Sequence, residues 1–319
     1  MDDTILRIKD LRVHYESESE VVEAVNGVSF DLKRGKTLGL VGETGAGKTT
    51  IAMSILRLVQ SPGRILEGSI LFNDLELTSL NEKQMRGIRS KSIAMIFQDP
   101  MTALNPVLTV GEQVAEVFRT HEKLSRQEAM KKAMDMFELV GIPGTRYNEY
   151  PHQFSGGMKQ RVVIAEALAC KPELLIADEP TTALDVTIQA QVLDMIRHLQ
   201  KKLNTSMILI THDMGVIAET CDEVAVIYAG NIVEYGSLDQ VFTNAQHPYT
   251  KGLFASLPSL DKDIERLKPI DGLMPDPANL PPYCSFCERC PVACEKCKNE
   301  EPDYIEIEPG HMVRCKLFG

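Results

Sequence analysis

Gly42-Glu43-Thr44-Gly45-Ala46-Gly47-Lys48-Thr49 is the stretch whose reading decides the fold. Glycine, four residues, then Gly-Lys-Thr is the pattern of a loop that wraps a polyphosphate. Its glycines let the backbone come close to phosphate oxygens, because no Cβ stands in the way. Lys48 brings a mobile positive charge to the β- and γ-phosphates, and the Thr49 hydroxyl suits Mg²⁺. The flanks agree with this. Thr37-Leu38-Gly39-Leu40-Val41 reads as a short buried strand, and Thr50 to Leu56 as the helix whose N-terminus faces the anion. Strand, loop and helix in that order predict an α/β domain that binds a nucleoside triphosphate.

Working outward toward the N-terminus, Ile5 to Tyr15 and Val25 to Leu32 are strand-like, parted by the acidic turn Glu16-Ser17-Glu18-Ser19-Glu20. Tyr15 reads either as a ring stacked on adenine or as an ordinary strand aromatic. Beyond the loop, Glu67 to Phe72 and Ser92 to Phe97 look like further strands, the second running into Gln98-Asp99-Pro100. Thr109 to Arg119 and Ser125 to Val140 carry apolar residues at helical spacing, among them Val114, Val117, Met130, Met134 and Phe137. Those methionines are expected in the core. Gly141-Ile142-Pro143-Gly144 breaks the run.

Three polar stations follow. Ser155-Gly156-Gly157 precedes a helical stretch; Ser155 is a good N-cap, and the glycines leave N–H groups open for a second anion. Leu174-Leu175-Ile176-Ala177-Asp178-Glu179 reads as a buried parallel strand delivering two carboxylates at its C-terminal edge, where α/β sheets bind ligands. Asp178 is placed to hold Mg²⁺ through water, and Glu179 to orient or deprotonate an attacking water. A second apolar strand, Ser206 to Ile210, ends at Thr211-His212-Asp213, where His212 serves either a γ-phosphate or the structure alone. Glu223 to Tyr228 and Asn231 to Tyr235 predict a closing hairpin.

Bulk composition narrows the class. The 319 residues are 44% apolar, enough for a large core, and the net charge of −11 speaks against a general nucleic-acid binder. No apolar run approaches the ~20 residues of a membrane-spanning helix. Met1-Asp2-Asp3-Thr4 lacks the layout of a signal peptide, so a reducing, cytosolic setting is expected for the eight cysteines.

Together, the phosphate loop, Gln98, Ser155-Gly156-Gly157, Asp178-Glu179, Ala183-Leu184-Asp185 and His212 resemble, in order and spacing, the motifs of ATP-binding cassette (ABC) ATPases, over residues 4 to about 240. The resemblance implies a P-loop NTPase core with a mixed sheet, an N-terminal antiparallel β subdomain and a helical subdomain at about 99–165. Further implications concern function. ATP would be hydrolysed with Mg²⁺ held by Thr49, Gln98 and Asp178. Tyr15 would stack on adenine, Gly42 to Thr50 would hold the phosphates, and Gln98 would sense metal and water. Glu179 would be the catalytic base, assisted by His212. Ser155 and Gly157 would reach the γ-phosphate of a second ATPase subunit, in a homodimer or heterodimer, with Asp185 at the seam. Such a chain looks like the nucleotide-binding subunit of an importer, on the cytoplasmic side of the membrane, docked through the surface around Gln98 to Pro106 on permease subunits. An extracytoplasmic binding protein would supply cargo. Phe154 stands where many members have leucine, and Met158-Lys159 replaces a commoner Gln pair.

From His247 the character changes. Pro258, Pro269, Pro275, Pro277, Pro281 and Pro282 predict a largely irregular extension, 241–319, holding six cysteines between Cys284 and Cys315. Thiols this dense suggest zinc or an iron–sulfur cluster. By spacing, Cys284, Cys287, Cys290 and Cys294 follow ferredoxin gaps, without the proline expected after the last. The tail also resembles the C-terminal extension of oligopeptide and dipeptide importer ATPases, with its Cys-x-Phe-x-x-Arg-Cys run at Cys284, Phe286, Arg289 and Cys290. That resemblance implies a four-iron, four-sulfur cluster on Cys284, Cys290, Cys297 and Cys315 that staples the tail, and di- or oligopeptides as cargo. Nickel, sugars or glycopeptides are the alternative cargoes. A soluble cassette ATPase, or a redox sensor built on the tail, is the alternative class. Cys170 and Cys221 read as plain core residues.

Overall fold

The computed structural model describes residues 3–182, 184–256 and 270–318. Ala183 of the Ala-Leu-Asp motif and the prolines at 258 and 269 lie outside the described residues. Strands β1 (Thr4–Glu16), β2 (Val21–Lys33), β4 (Gly63–Phe72) and β5 (Leu75–Glu76) make an antiparallel sheet of order β2-β1-β4-β5. The other sheet is built from β3 (Thr37–Val41), β6 (Ile93–Ile96), β7 (Leu174–Asp178), β8 (Ser206–Ile210), β9 (Glu223–Tyr228), β10 (Asn231–Ser237), β11 (Tyr304–Glu308) and β12 (His311–Arg314). Its order is β11-β12-β10-β9-β3-β8-β7-β6. The five strands from β9 to β6 run parallel, and β10, β12 and β11 continue antiparallel.

The central strands are apolar on both faces because both are covered. Leu174, Ile176, Ile208 and Ile210 point toward the antiparallel sheet and α1 (Lys48–Ile55); Leu175, Ala177, Met207 and Leu209 point into the helical layer. This alternation is the period of two that pleating imposes. Two cores therefore share one sheet, and the phosphate loop leaves the C-terminal end of β3, an interior strand of that sheet.

The remaining helices are α2 (Glu82–Ile88), α3 (Pro100–Ala103), α4 (Val110–Glu122), α5 (Arg126–Leu139), α6 (Gly156–Leu168), α7 (Val186–Leu203), α8 (Met214–Thr220), α9 (Leu238–Thr243) and α10 (Pro248–Ala255). Thr109 and Ser125, expected inside helices, are their N-caps; Ser125 pairs with Glu128 in a capping box. Met130 departs from the expected core: it is 37% exposed. The buried stripe of α5 is Ala129, Ala133, Met136 and Phe137, one helical position away, and Met134 is only partly buried. No described helix is long and apolar enough to cross a membrane.

The extension is less irregular than its prolines predicted. Residues 270–303 hold only short 3₁₀ turns, but β11 and β12 form a hairpin that pairs with β10 through Glu234–Val313 and Tyr235–Met312. Alternation in Tyr304-Ile305-Glu306-Ile307-Glu308, followed by the Pro309-Gly310 turn, is its signal. The junction is sealed by a histidine–glutamate hydrogen bond with no exposure. His311 Nε2 lies 2.8 Å from Glu234 Oε1, and the backbone N–H groups of Gln246 and His247 donate to the same carboxylate.

Candidate functional site

The loop after β3 folds as its glycines require. Gly47, the N-cap of α1, has φ of 102°, and a Cβ there would lie 2.3 Å from the Ala24 carbonyl oxygen. A Cβ at Gly42 would meet Ile227 O at 2.2 Å. Lys48 is buried and donates from Nζ to the carbonyls of Gly42 (2.8 Å) and Glu43 (2.9 Å). Burial pulls its pKa down, opposed by the carboxylates of Glu179, Asp178 and Glu43. Ala46 is fully buried beneath the loop.

A cleft of 330 Å³ opens over this loop, lined by Gly45, Lys48, Thr49, Gln98, Glu179 and His212, with Thr44, Gly47 and Thr50 beside them. Residues from four separate parts of the chain thus meet at the C-terminal edge of the parallel strands, as the sequence predicted. Asp178 ends β7 and is 2% exposed. Its carboxyl is pushed up by burial, opposed by a hydrogen bond from Thr49 and by Lys48. Its buried Oδ1 has no hydrogen-bond partner. An unpartnered carboxylate oxygen beside a threonine hydroxyl is an oxygen donor set that fits a hard cation such as Mg²⁺.

Glu179 breaks out of the strand with φ of 45°, a left-handed conformation that costs a non-glycine residue roughly 1–3 kcal/mol. Its own N–H donates to Ile210 O at 2.8 Å, which pins the bend. Three donors then grip the side chain. Gln98 Nε2 reaches Oε2 at 3.1 Å, Thr182 Oγ1 reaches the same oxygen at 2.9 Å, and His212 Nδ1 lies 3.3 Å from Oε1. Burial works to raise the pKa of this carboxyl, but the hydrogen bonds from Thr182 and His212 outweigh it and hold it below the usual range. The result is an ionised carboxylate aimed into a phosphate-binding cleft. Thr182 is the residue that sequence reasoning missed; its signal was a hydroxyl three residues after the acid.

Other predicted residues lie elsewhere. Tyr15 is not among the cleft residues; its ring covers Gly63 of β4. Ser155 caps α6 by accepting from Met158 N, and stands exposed away from the cleft. Gly157 packs against Ile188, where a Cβ would come within 2.6 Å. Asp185 caps α7 by accepting from Ile188 N, and its neighbour Val186 is 82% exposed. Glu43 turns its carboxylate away from the cleft, toward Arg289 in the extension.

In the extension, Cys287, Cys297 and Cys315 are buried and Cys284, Cys290 and Cys294 half-buried. The Cys284 thiol is pushed up to about 12 by burial, with Cys297, Cys287 and Cys315 adding to the shift. Cys294 Sγ lies 3.5 Å from Cys297 Sγ. Among the described residues, however, no three His, Cys, Asp or Glu side chains are arranged to hold a metal ion, and that includes the expected set Cys284, Cys290, Cys297 and Cys315. Cys221 is buried in the core as expected, whereas Cys170 is half-buried and lies outside the core clusters.

Comparison with known proteins gives two family matches: "ABC transporter" over residues 25–182 and "Oligopeptide/dipeptide transporter, C-terminal region" over 233–297. The chain is 48% identical to the oligopeptide transport ATP-binding protein AppD of Bacillus subtilis, over 99% of its own length and 97% of AppD. It is 50% identical to the dipeptide transport ATP-binding protein DppD of the same organism (98% and 94% covered). With the oligopeptide transport ATP-binding protein OppD of Escherichia coli it shares 46% (98% and 93%). Among solved structures, a dimeric post-hydrolysis state of the ATP-binding cassette MJ0796 with ADP and Pi superposes with a TM-score of 0.66 at 26% identity. It covers 73% of this chain and 98% of that one.

Proposed function

This chain belongs to the ABC transporter family, among its oligopeptide and dipeptide transport ATP-binding proteins, and from that membership we propose that it hydrolyses ATP to drive uptake of di- or oligopeptides. One observation carries the mechanism: an ionised Glu179 held by Gln98, Thr182 and His212 over the loop that carries Lys48. The loop N–H groups and Lys48 would bind the polyphosphate of ATP. Thr49 and Asp178, with Gln98 nearby, would hold Mg²⁺, which offsets charge on the phosphate oxygens. Glu179 would take the proton of the attacking water, and His212 would steady the γ-phosphate beside it.

The cleft would be one half of a composite site. Ser155, Gly157 and Asp185 lie outside this cleft, and Ser155 and Asp185 are exposed, which supports a dimer in which they close over a partner's nucleotide. Exposed Val186 beside Asp185 favours the same surface. Exposed Phe97 and Val107 flank the Gln98 to Pro106 segment and suit docking on permease subunits at the inner face of the membrane. We further propose that Cys284, Cys290, Cys297 and Cys315 hold a four-iron, four-sulfur cluster, a reading supported by the six cysteines that fall between Cys284 and Cys315. Stoichiometric iron and labile sulfide in anaerobically purified protein would bear on this; zinc in their place would refute it.

Substitution Glu179→Gln tests the catalytic reading. ATP binding should persist while kcat falls by about 10²–10⁴-fold. Turnover close to that of the parent protein would remove Glu179 from its role.

A further inference from the structure

Arg289 stands in the 3₁₀ turn Cys287–Arg289 of the extension, far along the chain from the phosphate loop, yet its guanidinium grips Glu43 in that loop. The grip is a fork: Nη1 donates to Oε2 at 2.9 Å and Nη2 to Oε1 at 3.0 Å. The remaining donors are also committed. Nε donates to Asp271 O at 2.9 Å, Nη2 to Ile270 O at 3.4 Å, and Nη1 to Tyr228 OH at 3.3 Å. The Arg289 side chain is 6% exposed and that of Glu43 31%, so the fork is sheltered from the Arg289 side while salt can reach it from the Glu43 side.

Glu43 is the odd residue of the loop. A carboxylate two positions from Gly45, beside a loop built for a polyphosphate, opposes the ligand through space unless something cancels its charge. The rest of Glu43 is already held. Its N–H donates to Tyr249 OH at 2.9 Å and its carbonyl accepts from Lys48. Tyr249 and Tyr228 pack with Phe286 at centroid distances of 4.6, 5.2 and 5.4 Å, one aromatic knot joining the turn to the loop. Nearby, Pro277 O accepts from Glu23 N at 2.8 Å and Met274 packs against Gly45.

We propose that Arg289 is a positioning residue for nucleotide binding, cancelling the Glu43 charge and fixing the loop, so that the cysteine-bearing extension sets the affinity for ATP. This rests on residues 42–49 being the phosphate loop. The experiment measures MgATP binding to the full-length chain at low and high salt.

Arg289→Ala should raise the Kd about tenfold at low salt, the size expected for one unscreened carboxylate near the phosphates, and the defect should shrink as salt is added. Glu43→Gln in the Arg289→Ala background should return the Kd to within about twofold of the parent. Parent-like affinity in Arg289→Ala, a defect insensitive to salt, or failure of Glu43→Gln to restore binding would each overturn the proposal. If Arg289→Ala does not fold, Arg289→Gln and its Glu43→Gln double variant carry the same comparison. If those also fail, Arg289→Lys, which keeps the charge without the fork, should bind within about threefold of the parent and is refuted by a tenfold loss. Lys48→Ala separates the two readings. Unimpaired binding there would sink the phosphate-loop reading, whereas lost binding there beside normal binding in Arg289→Ala sinks only the role of Arg289.

Discussion

At the scale of single residues, the site depends on one carboxylate being kept charged in a half-buried place. Burial favours the neutral form of Glu179, and the Thr182 hydroxyl is the foremost group opposing it. Removing that hydroxyl with Thr182→Ala should let the carboxyl pKa rise. A base must be deprotonated to work, so the acid limb of the pH–rate profile should move to higher pH, with kcat lowered about tenfold. An unchanged acid limb would mean that Glu179 does not limit the rate on that side. The residues of the loop and the Asp178-Glu179 pair were legible because each stands at a recognisable junction: glycine before a helix, acids after an apolar strand. Thr182 and Arg289 were not legible in their roles. A hydroxyl and a guanidinium have many possible partners, and only the folded chain selects one across a sequence gap as long as that from Glu43 to Arg289.

Elements were readable in proportion to their periodicity. The parallel strands β3, β7 and β8 stand within a residue or two of their expected bounds, because apolar runs flanked by polar ends leave little freedom. The β11–β12 hairpin was hidden by the prolines and cysteines around it, although its own alternation was present. The start of α10 shows what burial does to a capping group. His247 accepts from Tyr249 N through Nδ1, is 2% exposed, and burial pulls its pKa down to about 3. The unfolded chain would protonate this ring near 6.5 while the fold resists it. Its contribution is therefore complete above about pH 6.5 and is lost as pH falls toward about 3. His247→Asn keeps a capping side chain and removes the titration. Urea midpoints compared at about pH 7 and about pH 5 should fall less in that variant than in the parent. Equal falls in both would assign the acid sensitivity to other groups.

For the whole molecule, the proposed mechanism needs a second copy. One chain places the phosphate loop and Glu179 in the cleft, with the Ser155-capped helix start outside it. Two copies arranged head to tail would complete two sites at once. In size-exclusion chromatography with light scattering, Glu179→Gln with MgATP should run as a dimer, and adding Ser155→Arg should return it to monomer. A dimer unaffected by Ser155→Arg would place the contact elsewhere. The fold class was visible in the spacing of motifs, and the expected pairing of two copies came from the family resemblance those motifs carry. The union of extension and core was not, since it depends on a hairpin and a salt bridge between distant segments.

That union has a consequence for how the protein is made. Strand β10 leaves the ribosome with one edge unpaired, and the partner that covers it, β12, is encoded some seventy residues later. At about 5–20 residues per second, the edge is open for roughly 4–15 s, together with a glutamate whose histidine has not yet been synthesised. Open edges recruit stray strands. Nascent chains of this protein are thus most vulnerable to misassembly during translation of the cysteine-rich stretch, and a pause there would lengthen the hazard.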